Sequence, residues 1–509
     1  MSGSHPVSRR DLLRSGAIGG LGLAAVSGLS SAILSACGAA GRGAAAPTST
    51  STTFGSPVTT APSDTGASKW WLEGAFAPVR EELTADDLPV SGSLPTELSG
   101  LYVRNGSNPV QGSSPHWFLG DGMVHGVLLE GGRARWYRNR YVRTALWAHG
   151  GGLGASSAPG GAAGLSNVSV VHHAGRLLSL GEIGLPYRIS PDDLSTVGVV
   201  DYDGRTNGNM TAHPKIEKAT GNMHAFGYGF TPPYLQYRVI DTEGTLVHQE
   251  PIAVRRSTMM HDFAITDRDV VFWEMPVLFD LDDAIKMVSD PASGALPFHW
   301  EPSYGARIGV MPLGGPASRI RWVEIDPCYV YHGVNAHRSG DDVVLDVCRL
   351  DSTFAPPTEP SSQSLRRWTI DTSGAQLTFR DERLDCPPAD LPMIDRRLTG
   401  TTQRHAWLVP SRHVSGTIDF GGVVHVDYRT GTVTTWDPGA GRTAGEWLFV
   451  PGGDAEGDGW VMTYVYDRAT DRSDLVVLDA LDVAKGPVAR VRLPARVPLG
   501  FHATWVRTA

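Results

Sequence analysis

The sequence predicts an all-β fold built from many short strands. Sixty glycines and 35 prolines are spread over 509 residues, as a fold with many tight turns requires. Short apolar runs typical of strands recur between Gly, Pro and Asp turns, at residues 177–180, 270–273, 343–347, 422–426 and 475–478. Because no helical stretches separate these runs, the pattern favours a sandwich, a barrel or a propeller.

The length of the turn-rich region narrows this choice. Core-forming sequence begins at the Trp70-Trp71 pair, so the globular body is predicted to span residues 69–509. About 440 residues are too many for one sandwich, but they suit six to eight propeller blades of roughly 60 residues each. The chain has no strict internal repeat, and periodicity alone therefore leaves the number of blades open.

Residues 1–37 are typical of an export signal. Arg9 and Arg10 precede the small, apolar residues 17–29, as in twin-arginine signals. Residues 34–37 resemble a lipobox, in which Cys37 would be lipidated and would become the mature N-terminus. A transmembrane anchor is the alternative, but the apolar run is short and rich in glycine for a span. The sequence predicts twin-arginine export and a lipoprotein of the cell envelope that faces outside the cytoplasm.

Residues 38–68 differ in composition from the rest of the chain. They consist almost entirely of Gly, Ala, Ser, Thr and Pro, which offer little apolar surface to bury. Such a segment is predicted to be a disordered, flexible tether between the signal and the body.

One amphipathic helix is predicted inside the body. Residues 277–288 carry Leu278, Leu281, Ile285 and Val288 at helical spacing. We expect this helix to belong to segments inserted above the sheets.

The cysteines do not indicate a disulfide framework or a zinc site. Beyond the signal, the chain has Cys328, Cys348 and Cys386, an odd number without a CxxC pair. Cys328 and Cys348 are expected to be buried thiols on neighbouring strands, and a disulfide between them is the alternative.

Charge and motif content exclude several functions. The net charge is −9, and outside the N-terminus there is no dense Lys/Arg run, which argues against a nucleic-acid partner. A glycine-rich phosphate loop, a GxSxG elbow and an HExxH zinc motif are also lacking.

Four histidines stand in distinctive local sequences. His213 lies in Thr-Ala-His-Pro-Lys, His261 in Met-Met-His-Asp-Phe, His332 in Tyr-His-Gly-Val-Asn and His502 in Gly-Phe-His. They are 48, 71 and 170 residues apart, so no single helix or hairpin unites them. A lone histidine is weak evidence, because most are surface or satisfied core residues. The four would meet only in a fold that brings distant strands to one axis.

Several further motifs occur in an order that resembles one known family. The chain resembles the carotenoid cleavage oxygenases, a family that also includes lignostilbene-cleaving dioxygenases. The segments that carry the resemblance are residues 100–109, 117–125, 138–144, 220–228 and 500–502.

The resemblance implies a seven-bladed β-propeller with a dome of helices and loops over the active-site face. It also implies Fe(2+) on the propeller axis, held by His213, His261, His332 and His502. Neutral imidazoles suit Fe(II), and four of them leave coordination positions open for O2.

In this family three glutamates bind the outer nitrogens of the ligand histidines, which fixes the imidazole tautomer. Glu182 and Glu446 match the first and the third. At the second position this chain has Asp390, which is one methylene shorter. Asp390 would bond through a small backbone shift, through a water, or not at all. The remaining histidines of the motif segments are interpreted as packing or hydrogen-bonding residues: His116, His125, His172, His173, His224 and His337.

The implied activity is an Fe(II)-dependent dioxygenase that cleaves a conjugated C=C bond of a carotenoid or apocarotenoid with O2, giving two carbonyl products. A phenolic stilbene is the alternative substrate. A non-catalytic propeller that binds a ligand is the alternative of a different class. The expected partners are a small apolar olefin and O2, with association to the membrane through Cys37 and an apolar patch on the dome.

Overall fold

A computed structural model describes residues 69–152, 164–206, 208–290, 296–355, 361–414 and 417–507. The predicted signal, tether and Cys37 lie outside these residues. The regular secondary structure of these residues is almost entirely β-strand, as predicted, and it forms seven sheets arranged as the blades of a propeller, plus one separate hairpin.

Blades 1 to 4 each contain four or five antiparallel strands. Blade 1 is formed by β1 (Thr84–Leu88), β3 (Gly100–Ser107), β4 (Gly122–Glu130), β5 (Arg133–Tyr141) and β34 (Ala503–Arg507). Blade 2 is formed by β6 (Ser169–His173), β7 (Arg176–Leu180), β8 (Tyr187–Ile189) and β9 (Thr196–Val199). Blade 3 is formed by β10 (Lys215–Ile216), β11 (Met223–Tyr228), β12 (Leu235–Ile240) and β13 (Leu246–Ile252). Blade 4 is formed by β14 (Ala264–Ile265), β15 (Asp269–Glu274), β18 (Ala306–Pro312) and β19 (Arg321–Ile325).

Blades 5 to 7 complete the ring. Blade 5 is formed by β20 (Tyr329–Ser339), β21 (Asp342–Leu350), β22 (Gln363–Asp371) and β23 (Thr378–Arg383). Blade 6 is formed by β24 (Ala389–Met393), β25 (His405–Val414), β26 (Thr417–Phe420), β27 (Val423–Asp427) and β28 (Thr432–Trp436). Blade 7 is formed by β2 (Val90–Gly92), β29 (Arg442–Ala444), β30 (Leu448–Pro451), β31 (Gly459–Asp467), β32 (Arg472–Asp479) and β33 (Pro487–Arg492).

Strands from both ends of the body close the ring. The last strand, β34, pairs with β3 in blade 1, and the early strand β2 pairs with β33 in blade 7. Gly100 of β3 lies so close to β34 that a Cβ there would be 2.6 Å from the ring of Trp505. This exchange of strands joins the first and last blades by main-chain hydrogen bonds.

The apolar runs predicted from the sequence lie between blades. Residues 270–273 fall within β15, which is buried along its whole length. Because each blade packs on a neighbour at both faces, a middle strand has no solvent side. It therefore carries a continuous apolar run rather than alternating polar and apolar residues. Cys328, Cys348 and Cys386 lie in this interior as free, buried thiols.

The helix predicted at residues 277–288 begins later than expected. The described residues contain two α-helices, α1 (Ala145–Ala148) and α2 (Leu281–Ser289). Residues Val277–Phe279 instead form strand β16, which pairs with β17 (Phe298–Trp300) in the separate hairpin. Asp280 explains the boundary, since its carboxylate accepts a hydrogen bond from the amide of Asp283 and so caps α2 at its N-terminus.

Loops, the β16–β17 hairpin and short 3₁₀ turns precede or connect the strands of the blades. The 3₁₀ turns of the described chain are Trp70–Leu72, Gly74–Phe76, Trp117–Leu119, Pro302–Tyr304, Ala317–Arg319, Arg396–Leu398 and Val483–Lys485. Within the residues that the structure describes, no helix has the length and apolar character needed to cross a membrane.

The innermost strands of the blades surround a cavity on the propeller axis. This axial cavity has a volume of about 170 Å³ and is lined by residues of β6, β10, β14, β20 and β24. His213, His332 and His502 form part of its wall. Residues far apart in sequence thus meet at the axis, as the spacing of the histidines required.

Candidate metal centre

Each of the four histidines lies at the start of an innermost strand or within one. His213 precedes β10 by two residues, and His261 precedes β14 by three. His332 lies within β20, and His502 immediately precedes β34. Blades 3, 4, 5 and 1 therefore supply one imidazole each.

The four rings converge on a common point. Nε2 of His261 lies 3.0 Å from Nε2 of His213 and 3.2 Å from Nε2 of His332. The ring centroid of His502 is 4.4 Å from that of His213 and 5.1 Å from that of His332. One nitrogen from each of the four rings lies within 4.8 Å of the others.

Carboxylates bind the outer nitrogens of three of these rings. Nδ1 of His502 donates to Oε1 of Glu446 at 2.7 Å. Nδ1 of His261 is in contact with Oε1 of Glu182. No carboxylate contact is found for His213 among the described residues.

Asp390 makes the third contact directly. Nδ1 of His332 donates to Oδ1 of Asp390 at 2.8 Å, so the shorter side chain reaches the imidazole without a water. Burial lowers the pKa of His332, but the surrounding carboxylates, Asp390 foremost and then Asp262 and Glu446, outweigh that effect and the pKa is raised overall. Of the three possibilities that the sequence left open for Asp390, the structure shows the direct hydrogen bond.

These carboxylates determine which nitrogen of each ring bears the proton. A neutral His261 or His332 that donates from Nδ1 has no proton on Nε2. Their two Nε2 atoms are nevertheless 3.2 Å apart. Two lone pairs at this distance repel each other unless a cation lies between them, so the donor set fits a bound metal ion.

The spacing of the nitrogen atoms also fits one metal ion. Nitrogen donors bound at about 2.1 Å and at right angles to each other lie about 3 Å apart. The Nε2 separations of 3.0 and 3.2 Å match this value. Four imidazoles without a thiolate or a coordinating carboxylate form a donor set that suits first-row metals such as iron, copper, nickel and zinc.

The surroundings of His213, His502 and Glu446 shift their pKa values in directions that favour binding of a cation. Burial, together with the neighbouring rings, holds the pKa of His213 well below its usual range. Burial also lowers the pKa of His502, although Glu446 acts in the opposite direction. For Glu446, burial alone would raise the pKa, but His502 and Arg396 bring it below its ordinary value. The uncharged form is therefore favoured for His213 and His502, and the ionised form is favoured for Glu446.

Polar contacts at the wall of the axial cavity link three of the segments that carry the histidines. Nζ of Lys215 lies 2.7 Å from Oδ1 of Asp262, and the amide of Gly333 donates to Oδ2 of Asp262 at 3.0 Å. These residues follow His213, His261 and His332 by one or two positions. The buried Asp262 therefore fixes the relative heights of blades 3, 4 and 5 at the axis.

Aromatic side chains pack beside the ring, outside the axial cavity. The ring of Tyr331 meets that of His261 edge-on, with centroids 5.4 Å apart. Phe118 lies 6.4 Å from Tyr331 and 5.9 Å from Phe501, which adjoins His502. Trp117 packs on Phe501 at 4.5 Å. This aromatic wall gives one side of the ring an apolar surface.

Three of the other motif histidines, His125, His173 and His224, form ordinary hydrogen bonds outside the group of converging nitrogens. Nδ1 of His125 bonds Tyr137 and Nδ1 of His224 bonds Tyr237, at 3.0 and 2.6 Å. Nε2 of His173 bonds the carbonyl of Gly221 at 3.1 Å.

Two residues near the site were not foreseen from the sequence. The hydroxyl of Tyr228 donates to Oε2 of Glu182 at 2.6 Å, and the amide of Gln363 donates to Oδ2 of Asp390 at 2.9 Å. Tyr228 is the last residue of the motif segment 220–228, which offered a signal. Gln363 opens a strand in another blade, and nothing in its local sequence marks it.

Comparison with known proteins identifies the family. The family model described as retinal pigment epithelial membrane protein matches residues 76–507. A carotenoid cleavage oxygenase of Mycobacterium tuberculosis is 39% identical over 499 residues, covering 86% of this chain and 97% of that protein. Carotenoid 9,10(9',10')-cleavage dioxygenase 1 of Arabidopsis thaliana is 35% identical over 498 residues, covering 86% of this chain and 89% of that protein.

Solved structures agree with these sequence relatives. Lignostilbene dioxygenase of Pseudomonas brassicacearum superposes with a TM-score of 0.77 at 30% identity, covering 86% of this chain and 98% of that one. Cobalt-substituted Synechocystis ACO superposes with a TM-score of 0.73 at 25% identity, covering 85% of this chain and 97% of that one. The chain therefore belongs to the carotenoid cleavage oxygenase family and is an enzyme of the dioxygenase type.

Proposed function

We propose that this enzyme is an Fe(II)-dependent dioxygenase that cleaves a conjugated C=C bond of a carotenoid or apocarotenoid. The observation that carries the proposal is the ring of four imidazole nitrogens within 4.8 Å of one another. Three of these imidazoles have their outer nitrogens held by carboxylates, so their inner nitrogens are free to bind a metal.

His213, His261, His332 and His502 would hold the iron. Iron(II), when bound, supplies the one-electron chemistry that allows O2 to react with a closed-shell olefin. Support for a metal at this site comes from the cobalt-substituted Synechocystis relative. The four histidines would supply only neutral nitrogen donors, so no ligand from this protein would offset the charge of the ion.

The side chains of this protein orient the histidine ligands and exclude water, and they do not themselves react. Glu182, Asp390 and Glu446 keep the Nδ1 protons in place, and the aromatic wall excludes water from one side of the ring. No side chain is needed as a nucleophile. In the overall reaction one C=C bond and one O2 molecule give two C=O groups, so every atom and electron is accounted for without a further reductant.

The aromatic wall beside the histidine ring and the names of the sequence relatives support the proposed substrate class. Phe118 and Tyr331, which are partly exposed beside the buried Trp117 and Phe501, offer apolar and aromatic surface to a conjugated chain. The Mycobacterium tuberculosis and Arabidopsis thaliana relatives are named for carotenoid cleavage, and this favours a carotenoid or an apocarotenoid.

A phenolic stilbene is the second candidate. The Pseudomonas brassicacearum structure is that of a lignostilbene dioxygenase. In addition, the hydroxyl of Tyr331 lies 3.0 Å from the hydroxyl of Thr353, which offers a polar group beside the aromatic wall.

The test is product analysis with a panel of olefins. The iron-loaded body, residues 69–509, would be offered carotenoids, apocarotenals and 4-hydroxystilbenes under O2, with products identified by mass spectrometry. We expect aldehydes or ketones from a carotenoid or apocarotenal, at a kcat/KM at least about tenfold above that for any stilbene, a difference of roughly 1.4 kcal/mol.

Each outcome assigns the substrate class. Faster cleavage of the stilbenes would support the second candidate and overturn the first. Intact substrates from every class, with iron fully bound, would contradict both.

A further inference from the structure

The three carboxylates that hold the imidazoles share one arrangement. In each, one oxygen meets a histidine Nδ1 and the other oxygen accepts a hydrogen bond from a second donor. The second donors are the Tyr228 hydroxyl on Glu182 at 2.6 Å, the Gln363 amide on Asp390 at 2.9 Å and the Ala503 backbone amide on Glu446 at 2.9 Å. Both oxygens of each carboxylate are thus fixed, and the carboxylate plane cannot rotate freely.

Asp390 differs from the other two carboxylate residues in the length of its side chain. Glu182 and Glu446 are longer and reach their histidines with an extra methylene. Asp390 lies where strand β24 changes register against β25, between Asp390 and Met393. The next residue, Leu391, has φ +51°, and its amide donates to Oδ1 of Asp390 at 2.8 Å. This irregular backbone brings the short side chain towards His332.

Gln363 occupies the other side of the Asp390 carboxylate. It is the first residue of β22, pairs with Leu350 of β21 and has only 5% of its surface exposed. The thiol of Cys348 also contacts Asp390. The carboxylate is therefore enclosed between His332 on one side and a buried amide on the other.

We propose that Gln363 is a positioning residue that acts through Asp390, and that the two side chains are matched in length. The long side chain of Gln363 fills the space beyond the Asp390 carboxylate and donates a hydrogen bond to it. This support allows the short aspartate to hold His332. A glutamate at position 390 would extend into the space that Gln363 occupies. This inference rests on the proposed function, because His332 is positioned in order to bind iron.

The test shortens the side chain at position 363 and lengthens the side chain at position 390, separately and together. Three variants would be compared with the parent protein: Gln363→Ala, Asp390→Glu, and both together. We expect each single variant to lose iron to a chelator about tenfold faster than the parent, since residues that orient metal ligands typically contribute at least that factor. The double variant should recover to within about threefold of the parent rate, because the vacated space accepts the longer carboxylate.

A matched control separates this effect from general damage. Gln236 is a buried glutamine in β12, 8% exposed, that accepts a hydrogen bond from Arg238 and contacts no carboxylate among the described residues. Gln236→Ala should release iron at the parent rate. The Co(II)-substituted proteins provide a second readout, since the visible spectrum of the metal should change in the single variants and return in the double variant.

The results discriminate between this inference and the proposed function. Additive losses in the double variant, or iron release by Gln363→Ala at the rate of Gln236→Ala, would overturn the length matching while leaving the iron site intact. Failure of the parent protein to bind one iron per chain would overturn both.

Discussion

Replacing His213 with alanine is expected to abolish iron binding and to lower kcat/KM by at least about 10³-fold, a loss of roughly 4 kcal/mol of transition-state stabilisation. His213 is the best choice among the four histidines. It has no carboxylate partner among the described residues, so its removal leaves no buried acid without its hydrogen bond. The fold should therefore survive, and the effect should be confined to the metal.

His337→Ala is the matched control for this variant. His337 is half-buried on β20, five residues beyond His332, and lies outside the group of converging nitrogens. Iron content by elemental analysis and olefin cleavage should both equal those of the parent protein. Stoichiometric iron and undiminished cleavage in His213→Ala would contradict the assignment of the site.

Adding metal to the metal-free protein is expected to raise its melting temperature by about 4 °C. A ligand present at about 1,000 times its Kd stabilises the folded state by about 4 kcal/mol, and a body of this size has an unfolding entropy near 1 kcal/mol per degree. Differential scanning fluorimetry with Fe(II) under argon, or with Co(II), measures the shift.

The same titration on His213→Ala shows whether the metal binds at the ring. A second, exposed group of candidate donors, Asp280, Asp283 and His299, lies near the start of α2. We expect no shift in His213→Ala. A shift of equal size in the variant would place the stabilising metal elsewhere, for instance at that exposed group.

The fold class could be predicted from the sequence because it depends on local patterns. Apolar runs such as residues 270–273, separated by turn residues, become β15 and its neighbours. The boundary of α2 was wrong for a related reason. Leu278 and Leu281 fit a helical period, but Leu278 lies in a strand that bridges to Thr258, a contact that local spacing does not reveal. Asp280, a good N-cap residue, was the available signal.

The site could be predicted only in part. The four histidines were recognised from their motifs, and the structure brings them together at the axis. The contact of Asp390 with His332 depends on a register change in β24, and the contact with Gln363 depends on the packing of blade 5 on blade 6. Both arise from the relative placement of strands from different blades, which no local pattern encodes.

The most direct test of the proposed function follows the oxygen atoms. The iron-loaded protein would cleave its best olefin under ¹⁸O2 in short incubations, and both products would be analysed by mass spectrometry before their carbonyl oxygens exchange with water. Cleavage by a dioxygenase predicts one ¹⁸O atom in each of the two carbonyl products. Cleavage with label in only one product, or no cleavage by protein that holds one iron per chain, would contradict it.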